Sequence, residues 1–186
     1  DPLTANPTGS RLRLEPSLRL PLAGDWWQAE PAARVRYTRY ELEAATAEAP
    51  EHAVPTASLD GRLFLERDFR FRDEDWLQTL EPRAFLLWTP FHDQYDAPLF
   101  DTSAYTFGYD QLFRDNRYTG GDRVGDAKQV SLAVESRLFA PDGRESARFG
   151  IGQALYADDL RQQLDVLDPV DTTRRSPLVA SAAWRV

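Results

Sequence analysis

Between Leu77 and Gln129 the chain reads LQTLEPRAFLLWTPFHDQYDAPLFDTSAYTFGYDQLFRDNRYTGGDRVGDAKQ. The run starts as an alternating segment, passes through a very long tract crowded with aromatic and acidic residues, and returns to alternation. A soluble domain rarely holds a structureless connection of that size. Few architectures accept it, and the flanking segments narrow the choice further.

The clearest of these segments is Arg11–Leu20. Leu12, Leu14, Pro16, Leu18 and Leu20 fall on one face, and Arg11, Arg13, Glu15, Ser17 and Arg19 on the other. This period of two is that of a half-buried strand. Taken alone, the segment fits a soluble edge strand equally well, because Pro16 is best tolerated at an edge. The pattern recurs, however, and predicts strands over Arg11–Leu20, Ala32–Glu43, Thr56–Arg70, Trp76–Trp88, Lys128–Phe139, Arg144–Tyr156 and Leu178–Val186. The predicted fold is all-β: an antiparallel up-and-down meander of about seven strands, an arc of a large transmembrane β-barrel with a long external loop. No segment carries a helical period of useful length, although Leu160–Leu167 could form a turn or two within a loop.

The connections alternate in length. RDED (Arg72–Asp75) and APDG (Ala140–Gly143) are tight, and Pro21–Pro31 is moderate. Ala44–Pro55, Phe91–Ala127 and Asp158–Ser176 are longer. In a meander the first three fall on one rim and the others on the opposite rim, as in outer-membrane barrels with short inner turns and long external loops. Trp26, Trp27, Tyr40, Trp76, Trp88, Tyr156 and Trp184 lie near strand ends, where interface girdles place aromatics. Ordinary sheet core accounts for any single one of them equally well.

No stretch approaches the ~20 apolar residues of a membrane helix, but a membrane strand needs only about 9–11 residues with weak hydropathy. The mean hydropathy of -0.54 therefore suits a barrel with a polar lumen. The net charge is -8, and the arginine clusters sit on strand faces beside glutamates, which argues against nucleic acid. The sequence has no leader and no initiator Met, and reads as the middle of a longer protein. No catalytic constellation is present and no enzyme activity is expected. His52 and His92 are read as loop residues without metal-ligand spacing, no Cys is available, and neither a metal nor a cofactor is expected.

QTLEPR, the aromatic segment ending in TPF, DQYDAPLFDT, YDQLFRDNRYTGGDRVGDAKQ, ESRLF and IGQALY occur in that order, after RYTRYELEA and SLDGRLFLERDF. These blocks closely resemble the barrel segment of LptD, a family of outer-membrane proteins that assemble lipopolysaccharide (LPS). The resemblance is strongest over residues 32–158 and weak before Ala32 and after Gln163. LLWTPF stands where the family commonly has YFYTPY-like residues, and Lys128 where an Asn often precedes Gln. The resemblance implies one partial barrel domain over residues 1–186 in the outer membrane of a Gram-negative bacterium. It implies LPS and outer-membrane lipid as partners, an LptE-like plug lipoprotein, and a periplasmic LPS bridge reached through an N-terminal domain that matches nothing here. A soluble carbohydrate-binding β-sandwich and a generic porin-like channel remain alternatives.

Two sets of residues are candidates for function. Thr79, Glu81, Arg83, Gln129, Glu135 and Arg137 are expected on the polar, lumen-facing side. There they line a path for a phosphorylated sugar head, or merely pair across strands and fix register. Leu80, Leu86, Val130, Leu132 and Val134 are expected to face lipid, so that Arg is far better tolerated at Ser131 than at Leu132. The second set lies in the long loop: Tyr95, Phe100, Asp110, Phe113, Arg114, Asp115, Gly120, Gly121, Asp122 and Arg123. Its aromatics, with Tyr105, Phe107, Tyr109 and Tyr118, are too many for a fully exposed loop. Arg114 and Arg117 beside Asp110, Asp115 and Asp122 suggest a salt-bridged knot within the loop. The resemblance implies that the loop seats the plug lipoprotein; self-packing across the barrel mouth is the plainer reading.

Overall fold

The computed structural model describes residues 8–43 and 49–185. Its strands are β1 (Gly9–Leu14), β2 (Ser17–Arg19), β3 (Leu22–Ala23), β4 (Trp27–Leu42), β5 (Glu51–Leu63), β6 (Leu65–Phe71), β7 (Glu74–Thr89), β8 (Ala127–Phe139), β9 (Glu145–Tyr156) and β10 (Val179–Trp184). All belong to one antiparallel sheet, ordered β1-β4-β5-β7-β8-β9-β10 without a crossover. The sheet does not close on itself.

The ten strands trace seven paths, as the alternation predicts. Gly9 faces Leu42, Ser17 faces Arg34 and Leu22 faces Ala29, so β1, β2 and β3 continue one another in a single register along β4. The ladder lapses beside Pro16 and Pro21, which have no N–H to give. Pairing still crosses both gaps: Val35 donates to the Pro16 carbonyl and Leu20 to the Pro31 carbonyl, each at 3.1 Å. Likewise Arg62 faces Arg83 and Leu65 faces Leu80, so β6 prolongs β5 in the same register. The break at Phe64 lies beside Pro82 of β7.

Most strand bounds lie within two residues of the sequence reading, but two strand starts lie five residues earlier, and prolines explain both. β4 starts at Trp27 rather than Ala32, and β5 at Glu51 rather than Thr56. Pro31 and Pro55 read as breakers, yet both sit inside strands: Pro31 opposite Leu59, and Pro55 opposite Val35. Pro21–Pro31 is thus a tight hairpin, in which Gly24 N donates to the Trp27 carbonyl at 2.9 Å. Leu160–Leu167 is not helical; Leu160 instead bridges Asp171. The helical turn that does form is a 3₁₀ turn, Tyr109–Phe113. Val186, the end of the last predicted strand, and residues 44–48 lie outside the described residues.

The sheet is apolar on its outward face and polar within. Leu80, Leu86, Val130 and Leu132 are all exposed on the outward side, and Val134 shares it at intermediate exposure. The buried set lies on the concave side, where Arg36, Thr38, His52, Thr56, Thr79 and Glu81 accompany Tyr40, Val54, Phe85 and Leu87. A water-soluble sheet would reverse this arrangement. No helix of the described residues is long and apolar enough to cross a membrane, which leaves crossing by strands open. The long loop after β7 does not extend away from the rim. It folds back over the concave face, and Phe113 packs on Phe85, Leu87 and Ala127.

Candidate functional site

The concave face carries two connected layers: a charged wall on the strands and the loop laid across it. In the wall, Glu81 and Glu135 stand directly opposite one another on β7 and β8. Like charges so placed repel. Arg137 resolves the conflict, with Nε 2.8 Å from Glu135 Oε1 and 3.2 Å from Glu81 Oε1. Thr79 Oγ1 also donates to Glu81 at 3.1 Å, and Arg62 approaches it from β5 at 3.5 Å. Four of the predicted lumen residues therefore form one network. Arg83 lies apart from them, bound to Asp60 at 2.9 and 2.5 Å. Gln129 donates to Ser131 at 3.0 Å.

Asp122 centres the loop layer. Its side chain is fully buried, which on its own favours the neutral acid. Donors outweigh that cost. Phe100 N at 2.8 Å, Asp101 N at 3.1 Å and Thr102 Oγ1 at 3.0 Å bind Oδ2, while Tyr40 hydroxyl at 3.0 Å and Arg11 bind Oδ1. The net effect holds the Asp122 carboxyl below the usual carboxylate range. Hydrogen bonding from Arg11 also lowers the neighbouring Asp101, to about 2. The Gly120-Gly121 turn makes this docking possible. Gly120 has φ 63°, and a Cβ there would meet the Asp101 carbonyl at 2.6 Å. A Cβ on Gly121 would strike the Arg13 guanidinium, which donates to the Gly120 carbonyl at 2.7 Å. The loop is thereby fastened to β1, more than a hundred residues away in sequence.

Other loop residues reach other strands. Asp115 binds Arg36 at 2.8 Å and Arg34 at 3.3 Å on β4. Phe113 lies over Arg83, 3.6 Å from ring centre to guanidinium carbon, and meets Phe85 edge-on. Leu112, fully buried, sits against Gly152 of β9, where an added Cβ would lie 2.6 Å from its methyl carbon. Buried Arg123 donates to the carbonyls of Ala97 at 2.9 Å and Asp122 at 3.0 Å. Tyr95 and Asp126 tie in the following loop: Tyr95 hydroxyl donates to the Arg161 carbonyl at 3.1 Å, and Asp126 accepts from Arg161 N and Gln162 N, both at 2.9 Å.

The salt-bridged knot expected within the loop does not form. Asp115 pairs with strand arginines, Asp122 with Arg11, and Arg117 with Asp126 at 3.0 Å. Arg114 stacks on Tyr105, and Asp110 is exposed without an ion pair among the described residues. His52 is not a loop residue; it lies in β5, where Nδ1 meets His92 Nε2 at 3.1 Å. Its Nε2 stands 2.9 Å from Asp96 without hydrogen-bond alignment. Sequence reasoning missed Arg11, Tyr40, Leu112 and Asp126. Arg11 was visible as a charge on the polar side of the clearest strand, but its partner was not.

Taken together, the arrangement is a wall of paired charges, an inward loop keyed to strand paths from β1 to β9, and an apolar exterior. It is suited to holding a shape and a polar lining. The family profile described as LPS transport system D matches residues 2–186. An LPS-assembly protein LptD of Xanthomonas campestris pv. campestris is 45% identical over 161 residues, 82% of this chain and 20% of that relative. The protein of the same name in Pseudomonas aeruginosa is 38% identical over 183 residues, 91% of this chain and 20% of the relative. That of Pseudomonas syringae pv. syringae is 41% identical over 172 residues, 86% and 19% respectively. The chain thus spans about a fifth of the length of the curated relatives it matches. With the family profile matching almost all of its residues, this chain belongs to the LptD family, LPS transport system D.

Proposed function

We propose that this chain forms an arc of an outer-membrane β-barrel that assembles lipopolysaccharide into the outer leaflet of a Gram-negative bacterium. The observation that carries the reading is the inverted sheet: aliphatic side chains outward, and a charged inner wall overlaid by a docked loop. The family's role in LPS transport supplies the cargo. In the wall, the part-exposed Arg83, Gln129, Glu135 and Arg137 offer donors and acceptors to sugar and phosphate groups above the buried Thr79 and Glu81, while acyl chains keep to the membrane side. The role is transport and assembly, and no reaction is assigned to any residue. A carbohydrate-binding sandwich would need a second sheet packed on the first, whereas the described strands form one sheet.

On this reading the external loop also seats the plug lipoprotein, and the rest of the protein supplies the periplasmic LPS bridge. Tyr95 and Phe113 are taken up by contacts within the chain, but Phe100 and Phe107 keep exposed ring surface for a partner. The test uses the intact parent protein in cells depleted of their own copy. Photo-crosslinkers at Phe100 and Phe107 should capture a lipoprotein, and deleting Asp110–Asp122 should lower surface LPS and raise outer-membrane permeability. Unchanged surface LPS after the deletion would reduce the loop to a passive lid. A barrel that inserts normally yet leaves surface LPS unaltered on depletion would overturn the assignment itself.

A further inference from the structure

Across the outward face, near the rim that carries the long loops, lies a groove of about 730 Å³. Its floor is a row of large side chains joined by strand register, Leu59 with Leu86, Leu86 with Val130, and Val130 with Leu155. One row nearer the rim, Ala57 faces Trp88 and Trp88 faces Lys128. Small Ala57 beside the bulky indole leaves the depression. Lys128 is the only lysine in the sequence, and its exposed side chain stands at the rim end of an otherwise apolar groove. Its partner there, Asp158, is 3.5 Å away and more exposed still, so the pair is solvent-screened and weak. A lysine so placed keeps its stem on apolar surface and lifts its ammonium to the headgroup level.

We propose that this groove is a specific site for a phosphate-bearing membrane lipid, with an acyl chain along Leu59, Leu86, Val130 and Leu155 and the phosphate on Lys128. Trp88 closes the upper side, as an amphipathic ring at an interface can. The occupant is a lipid rather than a protein helix because the groove combines an apolar floor with one cation at headgroup height, the charge complement of an acylated phosphate. The site lies on the side of the sheet opposite the charged wall and does not require passage of cargo. It rests on the reading of the outward face as lipid-facing.

The experiment uses the full-length parent protein, purified and returned to vesicles of phosphatidylcholine with a minor fraction of phosphatidylglycerol. Bound lipid is counted by native mass spectrometry. Wild type should retain phosphatidylglycerol in preference to phosphatidylcholine. Lys128→Gln should reduce that preference about fivefold, the effect of one surface cation on an anionic lipid. Ala57→Leu, which fills the groove, should lower retention of both lipids. Both variants should insert and deliver LPS to the cell surface normally, so a failure of lipid retention is separable from a failure of the assembly role. Equal retention of the two lipids by wild type, or an unchanged preference in Lys128→Gln, would overturn the site.

Discussion

Ser131 and Leu132 are neighbours on β8, yet Ser131 is 0% and Leu132 50% exposed. The small polar residue is packed away and the large apolar one is left outside. The same inversion runs along β7, where Thr79 and Glu81 are buried while Leu80 is exposed. The difference between the two faces shows that apolar side chains here take the exposed face and polar ones the covered face, the reverse of a water-soluble sheet. The inner face is itself divided. Around Ser131 and Leu112, both 0% exposed, it is close-packed; toward Ser58, Asp60 and Arg83 it opens into a polar cavity of about 290 Å³, and a second cavity of about 550 Å³ lies between the loop and Leu87, Ala127, Gln129 and Tyr156.

The sharpest way to break this contrast is to unlock the loop. Asp122→Ala strips Arg11, Tyr40 and three loop donors of their common acceptor. Removing one partner of a buried charge pair costs ~3–5 kcal/mol. The expected result is a barrel that still inserts but whose loop amides at Phe100 and Asp101 exchange hydrogen rapidly. Slow exchange in the variant would mean that the remaining contacts hold the loop without Asp122.

The two faces can also be tested by charge. Leu132→Arg should impair assembly by ~2–4 kcal/mol if the site lies near the midplane. Ser131, which the sequence alone nominated as the tolerant control, is unsuited to that role, since an Arg there would have to displace the packed loop. Ser58 is the better control, because it is inward and lines the open polar cavity. Ser58→Arg should fold and insert close to normally, as read by heat-modifiable mobility of the intact protein. Equal damage at Leu132 and Ser58 would contradict the assigned facing.

The failure of Ser131 as a control shows what was legible in the sequence and what was not. The face of each residue was legible, because alternation is local: Arg11 against Leu12, Glu81 against Leu80. The rim parity was legible for the same reason, from the short RDED and APDG turns. What lies over a given inward residue was not, since Leu112 reaches Gly152 only through a loop whose path no local pattern encodes. The pairing of Arg11 with Asp122 is equally non-local. Pro31 and Pro55 misplaced two strand starts because a proline reads as a breaker unless the neighbouring ladder is known.

A smaller effect is expected where the packed half of the inner face meets the loop. Gly152 leaves room for Leu112, and a Cβ there would also lie 2.8 Å from that of Ala133. Gly152→Val should therefore cost ~1–3 kcal/mol through overpacking. A compensating Leu112→Ala in the same chain should recover part of the loss, measured as the midpoint of thermal unfolding in detergent. No recovery would mean that the strain sits in the sheet and not beneath the loop.

The smallest effect should come from the exposed end of the lock. Asp101 binds Arg11 at 2.7 and 3.0 Å but keeps 54% of its side chain exposed. Solvent screens such a pair, so Asp101→Asn should cost only ~0–1 kcal/mol and the cost should shrink in high salt. Its pH dependence has a fixed sign. The carboxyl falls from 3.8 to about 2 on folding, so its contribution is complete above pH ~4 and is lost as pH drops through about 2. Asp122 is shifted the same way. Loop docking should then be flat from neutral pH down to ~5 and weaken only in stronger acid, read as proteolysis of the loop in the inserted barrel. Asp101→Asn should flatten the acid limb slightly and leave the neutral plateau almost unchanged. If it instead opened the loop at neutral pH as fully as Asp122→Ala, the lock would centre on the exposed carboxylate, and the division between a packed and an open inner face would have to be redrawn.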